Sequence, residues 1–233
     1  AIFPEYKAHR LAMPPDLLYQ IQWAKEYCAI EGISILSLPY VEADDTIGSV
    51  AKWAEKRGVT SYICSSDKDL CQMVSDKIFI LDTFKENLIL GAKEVEEKFG
   101  VPPHLVIDYL ALTGDSSDNV PGVPGIGPKT AAELLQEFGS LDHLLENPLS
   151  NPGKKKGELL DKNRDQALLS RKLVTIDSSV DFPQDEDFFL KKAPEISALK
   201  DFYGSMKFHS LMKELPVEDT PKAPESIQNY HLV

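Results

Sequence analysis

Apolar positions Leu17, Ile21, Ala24 and Cys28 recur at helical spacing over residues 14–31, and Gly32 supplies a stop. Residues 33–38 form a short apolar run between Gly32 and Pro39, which predicts a buried strand. Ile47, Val50, Ala51 and Ala54 then predict a helix over 43–57, closed by Gly58. Residues 59–64, rich in β-branched and aromatic side chains, predict the next strand, and 78–81 and 88–90 predict two more. Strand, helix and strand at this spacing predict a right-handed βαβ unit and a largely parallel sheet. Past Gly91 the character turns helical, with patterns or caps at 92–99, 103–112, 128–138, 141–146 and 154–172. The chain reads as an α/β half over residues 1–91 and a helical half over 92–214. Residues 215–233 follow as a linker, with Pro216, Pro221 and Pro224 set among acids.

Composition narrows the class without deciding it. A chain of 233 residues with 42% hydrophobic content buries a real core. No apolar run approaches the roughly 20 residues of a membrane helix, and residues 1–5 lack the basic and apolar regions of a secretory signal. Cys28, Cys64 and Cys71 form neither an even set nor a C-x-x-C pair, so a reduced, cytoplasmic setting is expected. The net charge of −12 argues at first against a nucleic-acid partner. Its distribution softens that reading. Five acids crowd 177–187, while Lys154, Lys155, Lys156, Lys162, Arg164, Arg171 and Lys172 cluster upstream, a pattern that leaves room for a basic face.

Seven carboxylates fall in three short groups. Glu42, Asp44 and Asp45 lie between a predicted strand and the following helix, Asp67 and Asp69 at the end of the next strand, and Asp115 and Asp118 in a loop. Parallel α/β sheets place sites outside the carboxyl ends of their strands, so the first two groups are expected to converge. Clustered carboxylates repel unless a cation joins them. Oxygen donors without Cys or clustered His select Mg²⁺ or Mn²⁺, and two such ions roughly 4 Å apart activate water and stabilise a leaving oxygen. Each group also has a plainer reading. Asp44 and Asp45 suit a helix N-terminus, and the other pairs suit turns.

Residues 120–135 carry a second signal. Gly122, Gly125 and Gly127 permit close backbone approach, and Pro128 sits where a helix begins. Exposed N–H groups there, with Ile126 between the glycines and Lys129 and Thr130 adding a charge and a hydroxyl, suit a DNA phosphate read without its base. The alternative is a plain helix-turn-helix corner. A proline before Lys129 and the lack of a preceding strand exclude a Walker A loop, and the glycine order excludes a dinucleotide fingerprint.

Val-Glu-Ala-Asp-Asp at 41–45, Ser-Ser-Asp-Lys-Asp-Leu at 65–70, Thr-Gly-Asp-Ser-Ser-Asp-Asn at 113–119 and the glycine run at 121–131 together resemble the 5′ nuclease domain of bacterial DNA polymerase I. That domain belongs to the flap endonuclease superfamily. The resemblance implies a PIN-like α/β fold followed by a helix-three-turn-helix module. It implies cleavage of 5′ flaps and RNA primers on nicked duplex DNA by a monomer with two divalent ions, Mg²⁺ or Mn²⁺. Glu42, Asp44, Asp45, Asp67, Asp69, Asp115 and Asp118 match metal ligands. Gly125, Ile126 and Gly127 match a hairpin that grips the duplex and holds K⁺ through carbonyls. Tyr-Lys-Ala-His-Arg at 6–10 resembles the start of a helical arch. Lys7 and Arg10 then stand as phosphate-steering cations, with Tyr6 placed to stack on a base or to pack. Residues 229–233 resemble the entry to a polymerase's next domain. The family pattern carries two earlier strands, each ending in aspartate, ahead of residue 6, so weak or absent cleavage is expected of this chain. A branched-DNA-binding module without catalysis, and an RNA-cleaving PIN nuclease, are the competing readings; the glycine hairpin argues against the latter.

Overall fold

The computed structural model describes residues 3–10, 12–146 and 154–216, without the side chains of Lys154 and Lys155. Along the chain run α1 (Pro15–Ile30), α2 (Ala43–Lys56), β1 (Ser61–Cys64), β2 (Ile78–Asp82), β3 (Leu88–Leu90), α3 (Ala92–Phe99) and α4 (Val106–Thr113). They are followed by α5 (Pro128–Phe138), α6 (Leu141–Glu146), α7 (Lys154–Lys162), α8 (Arg164–Val174), α9 (Glu186–Phe189), α10 (Ile196–Ser205) and α11 (His209–Glu214). The contacts divide the chain into two compact units, one of residues 1–12 and 37–183, the other of 13–36 and 184–233. The expected linker lies outside the described residues from 217 onward.

In the first unit, β1 pairs parallel with β2, Ile63 opposite Ile80, and β2 pairs antiparallel with β3, Ile80 opposite Leu90. The sheet is therefore mixed rather than largely parallel. Residues 83–87 are too few for a crossover, and Glu86 and Asn87, at φ 51° and 60°, turn the chain straight back. Side chains alternate along β2, with Ile78, Ile80 and Asp82 buried. The apolar face of α4 is buried in the core. Val106, Leu110, Ala111 and Leu112 are each at most 1% exposed, and a buried leucine contributes about 1.5–3 kcal/mol by leaving water. This rigid helix ends at Gly114 and delivers Asp115 to the site.

The second unit has its own apolar cluster. Leu199, Phe202 and Tyr203 of α10 are buried, with Tyr27 and Ile30 of α1 packed against them. Helices α9, α10 and α11 were not expected individually.

Further expectations need correction. Residues 33–38 are extended but join no sheet among the described residues, and Ile33 and Ile35 are exposed. An apolar run becomes a strand only where a neighbouring edge takes up its N–H and C=O groups. Here Ser34 instead donates its hydroxyl to the Phe188 carbonyl, and Lys192 N–H binds Gly32 O at 2.9 Å. The βαβ unit expected from that strand is accordingly not formed. The helix expected over 154–172 is broken at Asn163, which leaves helical geometry and donates its side-chain amide to Leu159 O at 2.8 Å.

Candidate active site

Four pieces of backbone bring the carboxylates together. Glu42 stands at the N-cap of α2, with Asp44 and Asp45 in its first turn. After β1, Ser65 Oγ accepts the Asp67 N–H at 3.0 Å and Asp67 Oδ1 accepts the Asp69 N–H at 2.9 Å. These side-chain bonds curl the chain into a short 3₁₀ helix, Asp69–Met73. After α4, Asp115 and Val120 exchange backbone hydrogen bonds of 2.9 and 2.7 Å, which closes a tight loop carrying Asp118. The segment 3–10 docks on that loop. Lys7 N–H binds Asp118 O at 3.0 Å, and the Asn119 amide binds Glu5 O at 2.8 Å. Lys7 and Asn119 both hold left-handed backbone, φ 57° and 59°, a strain that only the surrounding contacts sustain.

The cations expected at 6–10 face the acids directly. Lys7 Nζ lies 2.6 Å from Glu42 Oε2 and 3.5 Å from Asp118 Oδ2, while Arg10 pairs with Asp118 Oδ1. Burial works against the Lys7 charge, but Glu42 and the Tyr6 hydroxyl outweigh it and hold the ammonium above its ordinary value. Asp118 raises the Arg10 guanidinium in the same way. Tyr6 packs against the core and its hydroxyl is raised, chiefly by burial, so packing rather than an open stacking face describes it.

Lys68, which its place in the 65–70 motif does not mark as a site residue, lies 3.1 Å from Asp115 Oδ2. Burial pushes the Asp115 carboxyl up, yet the Ser117 N–H at 2.7 Å and Lys68 hold it below the usual range. A cleft of about 300 Å³ opens among Arg10, Asp67, Lys68, Asp115, Ser117 and Asp118.

Asp69 has the opposite environment. Its carboxyl is pushed up to about 7, first by burial and then by Asp67, Asp115 and Asp118. Its Oδ1 is buried and has no hydrogen-bond partner among the described residues. Asp44 is also raised, by burial and then by Asp67. Asp67 acts on both Asp44 and Asp69, and Asp115 and Asp118 act on Asp69, which puts the three groups in one electrostatic neighbourhood. Asp45 departs from them in one respect, because its Oδ1 accepts the Asp177 N–H at 2.9 Å.

The donor chemistry fits a hard cation, and the unpartnered Asp69 oxygen is what such an ion would satisfy. Among the described residues, no three His, Cys, Asp or Glu side chains close up enough to enclose an ion directly.

The glycine run divides into a buried and an exposed part. Gly122 is buried: its N–H binds Ser170 Oγ at 3.0 Å, its carbonyl accepts from Gln166 at 2.7 Å, and a Cβ there would stand 2.5 Å from Gly114 N. It locks the hairpin to α8 and presents nothing to a phosphate, contrary to the expectation from sequence. Ile126 is buried as well, whereas Gly125, Gly127 and Lys129 are exposed and Thr130 half-exposed ahead of and within the first turn of α5.

A family model described as the 5′-3′ exonuclease N-terminal resolvase-like domain matches residues 1–100, and one described as the 5′-3′ exonuclease C-terminal SAM fold matches 101–196. A 5′-3′ exonuclease of Aquifex aeolicus is 37% identical over 214 residues, covering 92% of this chain and 72% of that protein. DNA polymerase I of Rhizobium leguminosarum is 41% identical over 92% of this chain, and the match spans 21% of that longer protein. Among solved structures, T5 5′-exonuclease superposes with a TM-score of 0.65 at 22% identity, covering 92% of this chain and 78% of its own, a likeness of fold. Both halves of the fold and the bulk of a curated relative are thus accounted for, and the chain belongs to the 5′-3′ exonuclease family.

Proposed function

We propose that the chain hydrolyses phosphodiesters near the 5′ ends of flapped or nicked DNA, and of RNA primers on DNA, with Mg²⁺ or Mn²⁺ bound at its carboxylate cluster. The observation that carries the reading is Asp69, a raised carboxyl with a buried, unpartnered oxygen amid Asp67, Asp115 and Asp118. T5 5′-exonuclease has been solved with zinc bound, and the bacteriophage T5 D15 flap endonuclease in complex with DNA and metal ions. In this chain the all-oxygen donor set favours harder ions. When bound, the ions supply an activated water and charge stabilisation for the leaving oxygen.

The chain's own residues do the rest. Asp67, Asp69 and Asp115, with Asp118, Asp44 and Glu42, would hold the ions. Lys7 and Arg10 would exchange their carboxylate partners for the 5′ phosphate and steer it. Gly125, Gly127 and Lys129, with Thr130, would bind the duplex backbone, and K⁺ at the hairpin carbonyls belongs to the same proposal. Because DNA polymerase I relatives are four to five times longer than the matched segment, joined polymerase domains are part of the proposal as well. No helix among the described residues is long and apolar enough to cross a membrane.

A second reading, a branched-DNA-binding module without cleavage, is favoured by the exposed Gly125, Gly127 and Lys129 at the start of α5. Single-turnover digestion of a 5′-labelled flap, with protein in excess, separates the two. Hydrolysis supported by Mg²⁺, blocked by EDTA and reduced at least about 100-fold in Asp69→Asn is expected of a metal site of this kind. Salt-sensitive flap binding without cutting at any metal concentration establishes the second reading instead.

A further inference from the structure

Residues 174–180, the segment that leaves α8, touch both carboxylate-bearing turns of β1 and α2 and belong to neither. The Gln72 side chain makes three bonds. Its amide donates to Asp69 O at 2.9 Å and to Val174 O at 2.8 Å, and its carbonyl accepts from Ile176 N–H at 3.0 Å. One residue on, the Asp177 N–H binds Asp45 Oδ1 at 2.9 Å. Ser49, on the next turn of α2, donates to Asp177 O at 3.2 Å and accepts from Val180 N–H at 3.0 Å. Ile176 presses on α2 so closely that a Cβ on Gly48 would stand 2.8 Å from its methyl. Phe182 then closes the segment against Trp53, ring edge to ring face at 6.0 Å.

We infer that residues 174–180 act as a strap setting the distance between the Asp44 turn and the Asp67–Asp69 turn, with Gln72 and Ser49 as positioning residues for the metal ligands. The inference rests on the metal reading above. The two turns sit on separate elements, α2 and the 3₁₀ helix after β1, and the strap is a brace that hydrogen-bonds to both. Hydrogen bonds to backbone provide one without occupying a ligand oxygen, apart from the single Oδ1 of Asp45. That oxygen is turned to the strap and so serves α2 rather than an ion. Residues that orient ligands in this way shift metal affinity 10–100-fold when removed.

The test is Mn²⁺ titration of the intact 233-residue chain, read by the electron paramagnetic resonance of free Mn²⁺. Gln72→Met keeps the side chain's length and removes all three bonds. Its Mn²⁺ dissociation constant is expected to rise about tenfold or more, while its affinity for nicked duplex in EDTA stays that of the wild type. Ser49→Ala, a smaller change that leaves the core filled, is expected to weaken Mn²⁺ severalfold and decides the matter where Gln72→Met does not fold. Unchanged Mn²⁺ binding in the folded variants, with only a lower melting temperature, overturns the strap and leaves the metal site standing. A wild-type chain that binds no Mn²⁺ overturns the metal reading and the strap with it.

Discussion

Replacing Asp69 by Asn converts a carboxyl that the fold resists charging into a neutral group of the same shape. The folded carboxyl titrates at about 7, against about 3.9 for an unperturbed aspartate. The difference of about 3 units, at about 1.4 kcal/mol each, sets a ceiling near 4 kcal/mol. The group is half-buried, and partial screening by solvent brings the expected cost to about 2 kcal/mol. The sign follows from the direction of the shift. An acid raised on folding leaves the fold most stable below its unfolded value, and stability falls as pH climbs from about 4 to 7. Asp115, held low, is ionised throughout that window and offsets nothing, whereas Asp44, raised, leaves a shallower slope of the same sign.

Urea unfolding in EDTA should therefore find Asp69→Asn about 2 kcal/mol more stable than the wild type at pH 8, and by less than about 1 kcal/mol at pH 5. In melting temperature the gain at pH 8 is about 4–8 °C. Millimolar Mg²⁺ should stabilise the wild type and leave the variant unmoved. A variant less stable than the wild type at pH 8, or a difference that ignores pH, refutes the reasoning.

Gly122→Ala, forced to φ +63° with its Cβ 2.5 Å from Gly114 N, should lose about 3 kcal/mol in urea unfolding. Leu112→Ala empties a fully buried site in α4 and should cost about 3–4 kcal/mol by the same assay. Lys129 is exposed and only loosely paired, 4.0 Å from Glu133; Lys129→Gln should lower the salt slope of duplex binding by about 1 and leave the melting temperature alone.

The sequence marked the acid groups that the fold draws near one another better than it marked their wiring. Helices α3 and α5 were legible because their ends are chemically marked. Gly91 N–H is capped by Glu94, and Gly100 and Gly139 close α3 and α5 in left-handed geometry. The three acid groups were legible as short motifs, two following predicted strands and one in a loop. What stayed hidden depends on contacts between distant residues. Lys68 stands inside one acid motif, but only the fold sets it against Asp115. Gln72 looks like any polar residue of a short helix until three backbone groups meet it. Residues 33–38 have strand composition, yet composition does not supply a neighbouring edge. Gly122 and Gly125 look alike in sequence, and their roles part only because one is buried beneath α8.

The central claim is that acids from separate loops act on one cation, and a double-mutant cycle on Mn²⁺ affinity reaches it directly. With Asp67→Asn, Asp115→Asn and the double variant, carboxylates sharing an ion should each weaken binding, and the two losses should be coupled by about 1 kcal/mol or more. Losses that simply add, or single variants that bind Mn²⁺ as tightly as the wild type, would contradict it.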